Sequence, residues 1–213
     1  MQTDDLISLM TASHQPVDTG WLRRVTWIAA LGTLAATIAL VLLTLGQRPD
    51  LGTAWMTLPV IAKALLGASV ATIALVLFQR SLRPGLKAAR LVPLVAIPLL
   101  LAAAWALLTL AQAPIEHWSA LVFGRYWRAC LIAVPLYALC PLVILLILAR
   151  RGAPTNGRLT GACAGLVSAG LATAAYSVHC PDDTAPFLAI WYTLAIMIVT
   201  GLGALTFPRL VRW

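Results

Sequence analysis

Six long apolar runs constrain the fold of this chain more than any other feature. Each run has enough residues to cross about 30 Å of hydrocarbon at the helical rise of about 1.5 Å per residue. Backbone groups in hydrocarbon must pair among themselves, and the alternation typical of barrel strands is absent, so we predict six transmembrane helices. The runs lie near residues 25–46, 57–78, 91–111, 129–148, 159–176 and 186–206.

The composition favours an integral membrane protein of the all-α class. Hydrophobic residues make up 61% of the chain and charged residues 10%, whereas soluble domains contain about 25% charged residues. The first apolar run is too long for a removable signal peptide and lacks a small-residue cleavage site. Because the loops are short, we predict an N-terminal arm (residues 1–24), one six-helix transmembrane domain (25–206) and a C-terminal tail (207–213).

Basic residues are distributed unevenly between the two sides of this six-span arrangement. Only Arg48, Arg125 and Arg128 fall on the outer side, and Lys63 lies within the second span. The positive-inside rule therefore predicts that both termini are cytoplasmic, and it explains the net charge of +8 without a nucleic-acid partner. The basic residues on the cytoplasmic side are Arg23, Arg24, Arg80, Arg83, Lys87, Arg90, Arg150, Arg151, Arg158, Arg209 and Arg212.

Two features within the spans have both a structural and a functional interpretation. An intramembrane cation such as Lys63 is a candidate functional group, but its long side chain can also extend to the outer interface, which we favour. Gly161, Gly165 and Ala169 form a small-residue stripe on the fifth span. This stripe predicts close helix packing within one bundle rather than homodimerisation, and the oligomeric state is left open.

The segment between the last two spans, residues 177–184, is termed the Cys180 loop. It contains His179, Cys180, Asp182 and Asp183 within five residues. Proline and aspartate favour a turn and a helix cap, which explains the cysteine and histidine less well. The predicted topology places Cys130 on the same outer side, where disulfides persist. Three interpretations stay open: free thiols, a Cys130–Cys180 disulfide, and a site for a metal ion or oxidant.

A metal site in this region would combine soft and borderline ligands. The candidate ligands are Cys130, Cys180, His179, Asp182 and Asp183. The chain has no CxxC pair, and we recognise no nucleophile with a base and no glycine-rich phosphate loop. The sequence therefore predicts a protein that is not an enzyme. A small inner-membrane transporter or channel is the alternative function, and it would require Lys63 to face a water-filled cavity.

The N-terminal arm has a pattern suited to a short helix that orders against a protein partner. A threonine can cap its start, and two aspartates suit the positive end of the helix dipole. The apolar residues that follow would form a contact surface, although so short a helix is marginal alone in water. The candidate contact residues are Thr3, Asp4, Asp5, Leu6, Ile7, Leu9 and Met10.

Taken together, these features resemble a bacterial family of six-span membrane proteins, the negative regulators of sigma F. These proteins are anti-sigma factors for extracytoplasmic-function sigma factors. The resemblance extends over essentially the whole chain, and the run from His179 to Asp183 is its most specific part. The matching residues are Thr3 to Ile7, Arg151 to Pro154, His179 to Asp183, Trp191 and Tyr192, and Pro208 to Leu210 with Arg212 and Trp213.

This resemblance implies a function in transcriptional regulation during stress. The chain would hold a sigma factor at the bacterial inner membrane through its N-terminal arm, including Asp4, Asp5, Leu6 and Ile7. It would release the sigma factor when heavy-metal or oxidative stress reaches two periplasmic cysteines. Those cysteines would be Cys130 and Cys180, acting through a transient metal ion or a disulfide.

Overall fold

The computed structural model describes residues 20–86 and 88–210, together with residues 5 and 8. Within this part of the chain there are six helices long and apolar enough to cross a membrane and no β strand. The predicted all-α architecture with six membrane-length helices is therefore confirmed. The helices are α1 (Trp21–Thr44), α2 (Leu58–Ser81), α3 (Ala96–Gln112), α4 (Trp127–Ala149), α5 (Gly157–Tyr176) and α6 (Thr193–Leu210).

The chain approaches two of these helices through tighter or wider helical turns. A 3₁₀ segment (Ala88–Val95) containing Pro93 precedes α3. Proline lacks the N–H that an α-helix requires, which favours this irregular start. A short α-helix (Ala185–Phe187) and a π-helical segment (Leu188–Tyr192) lead into α6. Segments of π-helix are rare in proteins overall, and those that occur are often found at functional sites.

The first helix begins earlier than the sequence predicts. It starts at Trp21, so the last residues assigned to the N-terminal arm belong to α1. Asp5 and Ser8 are helical and exposed. The other proposed contact residues of the arm, and residues 211–213 of the tail, lie outside the described residues.

Three connecting segments meet at one end of the bundle, which is termed the Cys180 end. They are residues 45–57 with a short helix (Leu51–Ala54), residues 113–126 with a 3₁₀ turn (Ile115–His117) and a short helix (Trp118–Phe123), and the Cys180 loop. Residues 82–86, 88–95 and 150–156 lie at the opposite end, where the N–H of Ala153 donates to the carbonyl of Leu82 at 3.1 Å. Each helix therefore crosses the bundle once.

Helix α5 is the core of the bundle because its small side chains let neighbouring backbones approach closely. A Cβ atom on Gly161 would lie 2.1 Å from the carbonyl oxygen of Gly203 in α6. On another side, a Cβ on Gly170 would lie 2.7 Å from the carbonyl oxygen of Gly67 in α2. The predicted packing of the small-residue stripe within one bundle is confirmed. Van der Waals contact between such close backbones is a main source of helix association in a bilayer.

These contacts predict a large difference between two glycine-to-alanine substitutions. Gly161→Ala should lower the unfolding free energy by about 1–3 kcal/mol because α5 and α6 must separate to admit the methyl group. Gly201→Ala is the matched control, since a Cβ there would meet nothing within 4 Å. Helix propensity should leave that variant unchanged or stabilise it by up to about 1 kcal/mol. Denaturant unfolding in detergent measures both, and equal stabilities would contradict the packing argument.

Candidate functional site

The Cys180 loop folds back into the end of the bundle instead of forming an exposed turn. The N–H groups of His179 and Cys180 both donate to the carbonyl of Tyr176, at 3.0 and 3.2 Å, and so continue the end of α5. Ser177 and Cys180 are buried. Cys180 is therefore enclosed by protein, although it belongs to a segment that connects two helices.

The structure brings Cys130 and Cys180 into one buried cluster. Cys130 lies in the first turn of α4, and both side chains are fully buried. The two thiols lie near each other, and both lie beside the hydroxyl of Tyr192 in the π-helical segment. That hydroxyl is buried and has no hydrogen-bond partner among the described residues. Two thiols and one unpaired hydroxyl therefore share a small enclosed space.

The cysteines in this structure are free thiols. Burial raises the pKa of the Cys180 thiol above its ordinary value, with Lys63 opposing that effect. The thiol form therefore predominates at neutral pH. Cys140 is exposed on the outer surface of the bundle and Cys163 is buried in its core, so neither belongs to this cluster.

A network of four charged side chains, termed the charge network, lies against the Cys180 loop. Its members are Arg48, Asp50, Lys63 and Asp183. The ammonium of Lys63 donates to Oδ1 of Asp183 at 2.5 Å, and the guanidinium of Arg48 donates to both oxygens of Asp183 at 3.0 and 2.8 Å. Arg48 also donates to both oxygens of Asp50 at 2.7 Å each. The side chain of Arg48 is 3% exposed and that of Lys63 is 1% exposed.

The acidic members of the charge network are held in their ionised form. Hydrogen bonds from Arg48 lower the pKa of Asp50 to about 2. Burial alone would raise the pKa of Asp183, but hydrogen bonds and positive charge from Arg48 and Lys63 outweigh it and lower the pKa. Each aspartate therefore stays ionised at neutral pH and neutralises a cation that would otherwise be buried without a partner.

The same two cations also bind the backbone of the cysteine. Lys63 donates to the carbonyl of Cys180 at 3.0 Å, and Arg48 donates to that carbonyl at 3.3 Å. The backbone N–H of Arg48 donates to the carbonyl of Val178, also at 3.3 Å. The position of the loop is thus fixed through its main chain as well as through Asp183.

Asp182 attaches the other side of the loop to the segment that precedes α4. Its carboxylate accepts from the N–H groups of Arg125 and Tyr126, the latter at 2.7 Å. Gly124 permits this arrangement because its φ is +53° and a Cβ there would lie 2.8 Å from the carboxylate. The hydroxyl of Thr184 donates to the carbonyl of Leu121 at 2.6 Å. These bonds connect the loop to the chain that carries Cys130.

The five proposed metal ligands do not converge. Nδ1 of His179 lies 3.0 Å from the carbonyl oxygen of Gly46, a contact that requires the tautomer protonated at Nδ1 because a carbonyl only accepts. Asp182 and Asp183 are bound to the partners described above. Among the described residues, no group of three or more His, Cys, Asp and Glu side chains is arranged to hold a metal ion. A site for a soft metal ion at Cys130 and Cys180, with or without further ligands, stays a prediction.

Comparison with known proteins gives a consistent result over the whole chain. A family model described as negative regulator of sigma F matches residues 10–213. The chain belongs to the family of negative regulators of sigma F. A relative from Azospira oryzae, named probable anti-sigma-F factor NrsF, is 31% identical over 214 residues, with all of both chains covered. The anti-sigma-F factor NrsF of Caulobacter vibrioides is 32% identical over 216 residues, again covering both chains fully. No solved structure matches the chain.

Two residues of the site in this family member were misjudged from the sequence. The interpretation that Lys63 extends to the outer interface is wrong in one respect: its amine points to that end but is buried against Asp183. The sequence indicates only the side of the bundle on which Arg48 lies, whereas the structure shows it buried between two aspartates. The sequence does contain a signal for this arrangement. A cation within an apolar span needs a counter-ion, and the acidic residues of the same end can supply one.

The charge network predicts a loss of stability in acid. Because the pKa of Asp183 lies below its ordinary value of 3.8 in the folded protein, its stabilisation is present above about pH 4 and is lost as the pH falls through the folded pKa. The apparent melting temperature in detergent should therefore fall as the pH is lowered below about 4. Asp183→Asn should reduce this drop, whereas Glu116→Gln, at an exposed position of the same end, should not. An identical pH dependence in all three proteins would contradict the network's role.

Proposed function

We propose that this chain is a membrane anti-sigma factor that sequesters an extracytoplasmic-function sigma factor and releases it in response to a signal at Cys130 and Cys180. The observation that supports this most directly is the match of the chain, along its full length, to two relatives named as anti-sigma-F factors. The cluster of two buried thiols at one end of the bundle supports the sensory part. The proposed location is the bacterial inner membrane.

The proposed orientation places the Cys180 end in the periplasm and both termini in the cytoplasm. Its basis is the concentration of Lys and Arg in the segments at the opposite end of the bundle. The N-terminal arm, with Thr3, Asp4, Asp5, Leu6, Ile7, Leu9 and Met10, then supplies the sigma contact. Stable protein interfaces usually bury about 800 Å² on each partner, and so short an arm offers less surface than this. The basic cytoplasmic loops therefore share in the contact.

The proposed signal is chemical change at the two thiols. A soft divalent cation would displace one proton from each thiol and bind both thiolates. Hydrogen peroxide would oxidise the pair to a disulfide, and the two electrons and two protons lost by the thiols would reduce the hydrogen peroxide to two molecules of water. Either product fixes the distance between the sulfur atoms of Cys130 and Cys180, which the free thiols do not.

A change at the periplasmic end affects sigma binding only through two arrangements of the bundle. A tenfold loss of sigma affinity requires a signal that stabilises the release arrangement by at least about 1.4 kcal/mol. The bond formed at the thiols has to favour one arrangement by that amount. The transporter alternative lacks the feature that would support it, because Lys63 is buried in an ion pair instead of facing a cavity.

The sigma contact is tested by co-purification from cells that express the full chain. A sigma factor should co-purify with the intact protein, and deletion of residues 1–12 should lower its yield at least about tenfold because the arm's apolar contacts are lost. Identification of the bound protein by mass spectrometry also distinguishes the sigma class. Unchanged recovery with the deletion variant would refute the proposed role of the arm.

The sensory role is tested by substituting both cysteines of the cluster. Cys130→Ser with Cys180→Ser should leave sigma binding intact and abolish the rise in sigma-dependent transcription after cadmium or peroxide. Cys140→Ser is the matched control, since that cysteine lies outside the cluster, and its response should equal that of the wild type. A normal response in the double variant would exclude the cysteines as the sensor.

A further inference from the structure

We propose that Lys63 and Arg48 are positioning residues that lock the Cys180 loop in the sigma-holding arrangement, and that the signal acts by breaking this lock. The inference rests on the proposed function, because it assigns the step between the cysteines and the helices. Neither residue would contact the sigma factor or the signal. Their role is to hold the backbone of Cys180 until the thiol is modified.

The hydrogen bonds of the loop give it two separate attachments. On one side, Lys63 and Arg48 converge on the carbonyl of Cys180 and on the carboxylate of Asp183. On the other side, Asp182 binds the N–H groups of the segment that precedes α4. A new bond from Cys180 to Cys130 would shift the loop, and under this proposal that shift breaks the bonds from Lys63 and Arg48.

The lock couples the loop to the most closely packed part of the bundle. Lys63 lies one helical turn before Gly67, where an added Cβ would be 2.5 Å from the backbone nitrogen of Ala174 in α5. There is no space at this contact for α2 to adjust gradually. Tightly packed helices shift between discrete positions, so release of Lys63 would let α2 and α5 change their relative position as units.

The bonds that the lock has to make explain why its members are charged. An apolar residue at position 63 would pack equally well in a membrane helix but could not bind a carbonyl and a carboxylate together. The ammonium has three donors, and two of them are used on Cys180 and Asp183. Such a connection is specific in geometry, and it is lost completely when the loop moves by a few ångströms, because hydrogen bonds weaken steeply with distance.

The test measures how fast iodoacetamide alkylates each cysteine in the purified full chain in detergent, with mass spectrometry resolving the individual sites. Lys63→Met should raise the alkylation rate of Cys180 about tenfold or more, because a buried thiol reacts only when its segment opens. Lys63→Arg should restore most of the protection, since it retains a cationic donor. Arg128→Met removes an exposed cation from the same end that belongs to neither attachment, and it should match the wild type.

The buried Cys163 in α5 reports on the rest of the fold within the same sample. A rise at Cys180 alone supports the lock, whereas an equal rise at both cysteines shows general unfolding and counts against it. Asp183→Asn is a milder second variant that should also raise the rate at Cys180. If neither Lys63→Met nor Asp183→Asn raises it, the proposal is overturned.

Sigma co-purification with the same variants separates this inference from the proposed function. If Lys63→Met exposes Cys180 and lowers sigma recovery without any signal, the lock and its role in release are both supported. If Cys180 is exposed but sigma recovery is unchanged, the lock is supported and its link to sigma release is refuted. Failure of the wild-type chain to bind any sigma factor would refute the proposed function. The alkylation rates would still show whether Lys63 holds the Cys180 loop in place.

Discussion

The arrangement of the Cys180 end depends on the pairing of two buried cations with Asp183. A cation removed from water is costly unless a carboxylate and further hydrogen bonds surround it. Asp183 supplies the carboxylate, and it lies 120 residues after Lys63 and 135 residues after Arg48 in the chain. Removing one partner from such a network typically costs about 3–5 kcal/mol, because the remaining charge is left unpaired. The loop after α5 must therefore fold back onto the start of α2, and this brings Cys180 into the bundle.

The charge network and the packing of α5 act on the same helices from different directions. Small residues bring α5 into backbone contact with α2 and α6, which fixes the distances between these helices. The network fixes the ends of α2 and α5 relative to each other through the Cys180 loop. One arrangement of the bundle satisfies both sets of contacts. Under the proposed function, this arrangement is the one that holds the sigma factor, and a signal must favour a different one.

The sequence was sufficient for the helices and for the family, because both depend on signals that are local or extend along the whole chain. Apolar runs predict membrane helices almost directly, and the start of α3 deviates where Pro93 disturbs the helix. Predicted topology also placed Cys130 and Cys180 at one end. The position of Lys63 could not be derived in the same way, since its partner Asp183 is distant in sequence and a lysine near a helix end can equally extend toward water. The proposed ligands His179 and Asp182 have backbone partners that composition does not reveal.

The burial of Cys180 has a direct consequence for any chemistry at the thiol cluster. The thiolate is the reactive form of cysteine toward oxidants and metal ions, and burial raises the pKa of Cys180 away from that form. A fully enclosed thiol with a raised pKa reacts slowly with weak oxidants, so under the proposed function background oxidation would not trigger release. Under the proposed function, a soft metal ion would have to displace both protons, so its binding would become stronger as the pH rises. Under the proposed function, the lock on the Cys180 loop therefore sets the threshold: the fraction of time that the loop is open determines how readily either kind of signal reaches the sulfur atoms.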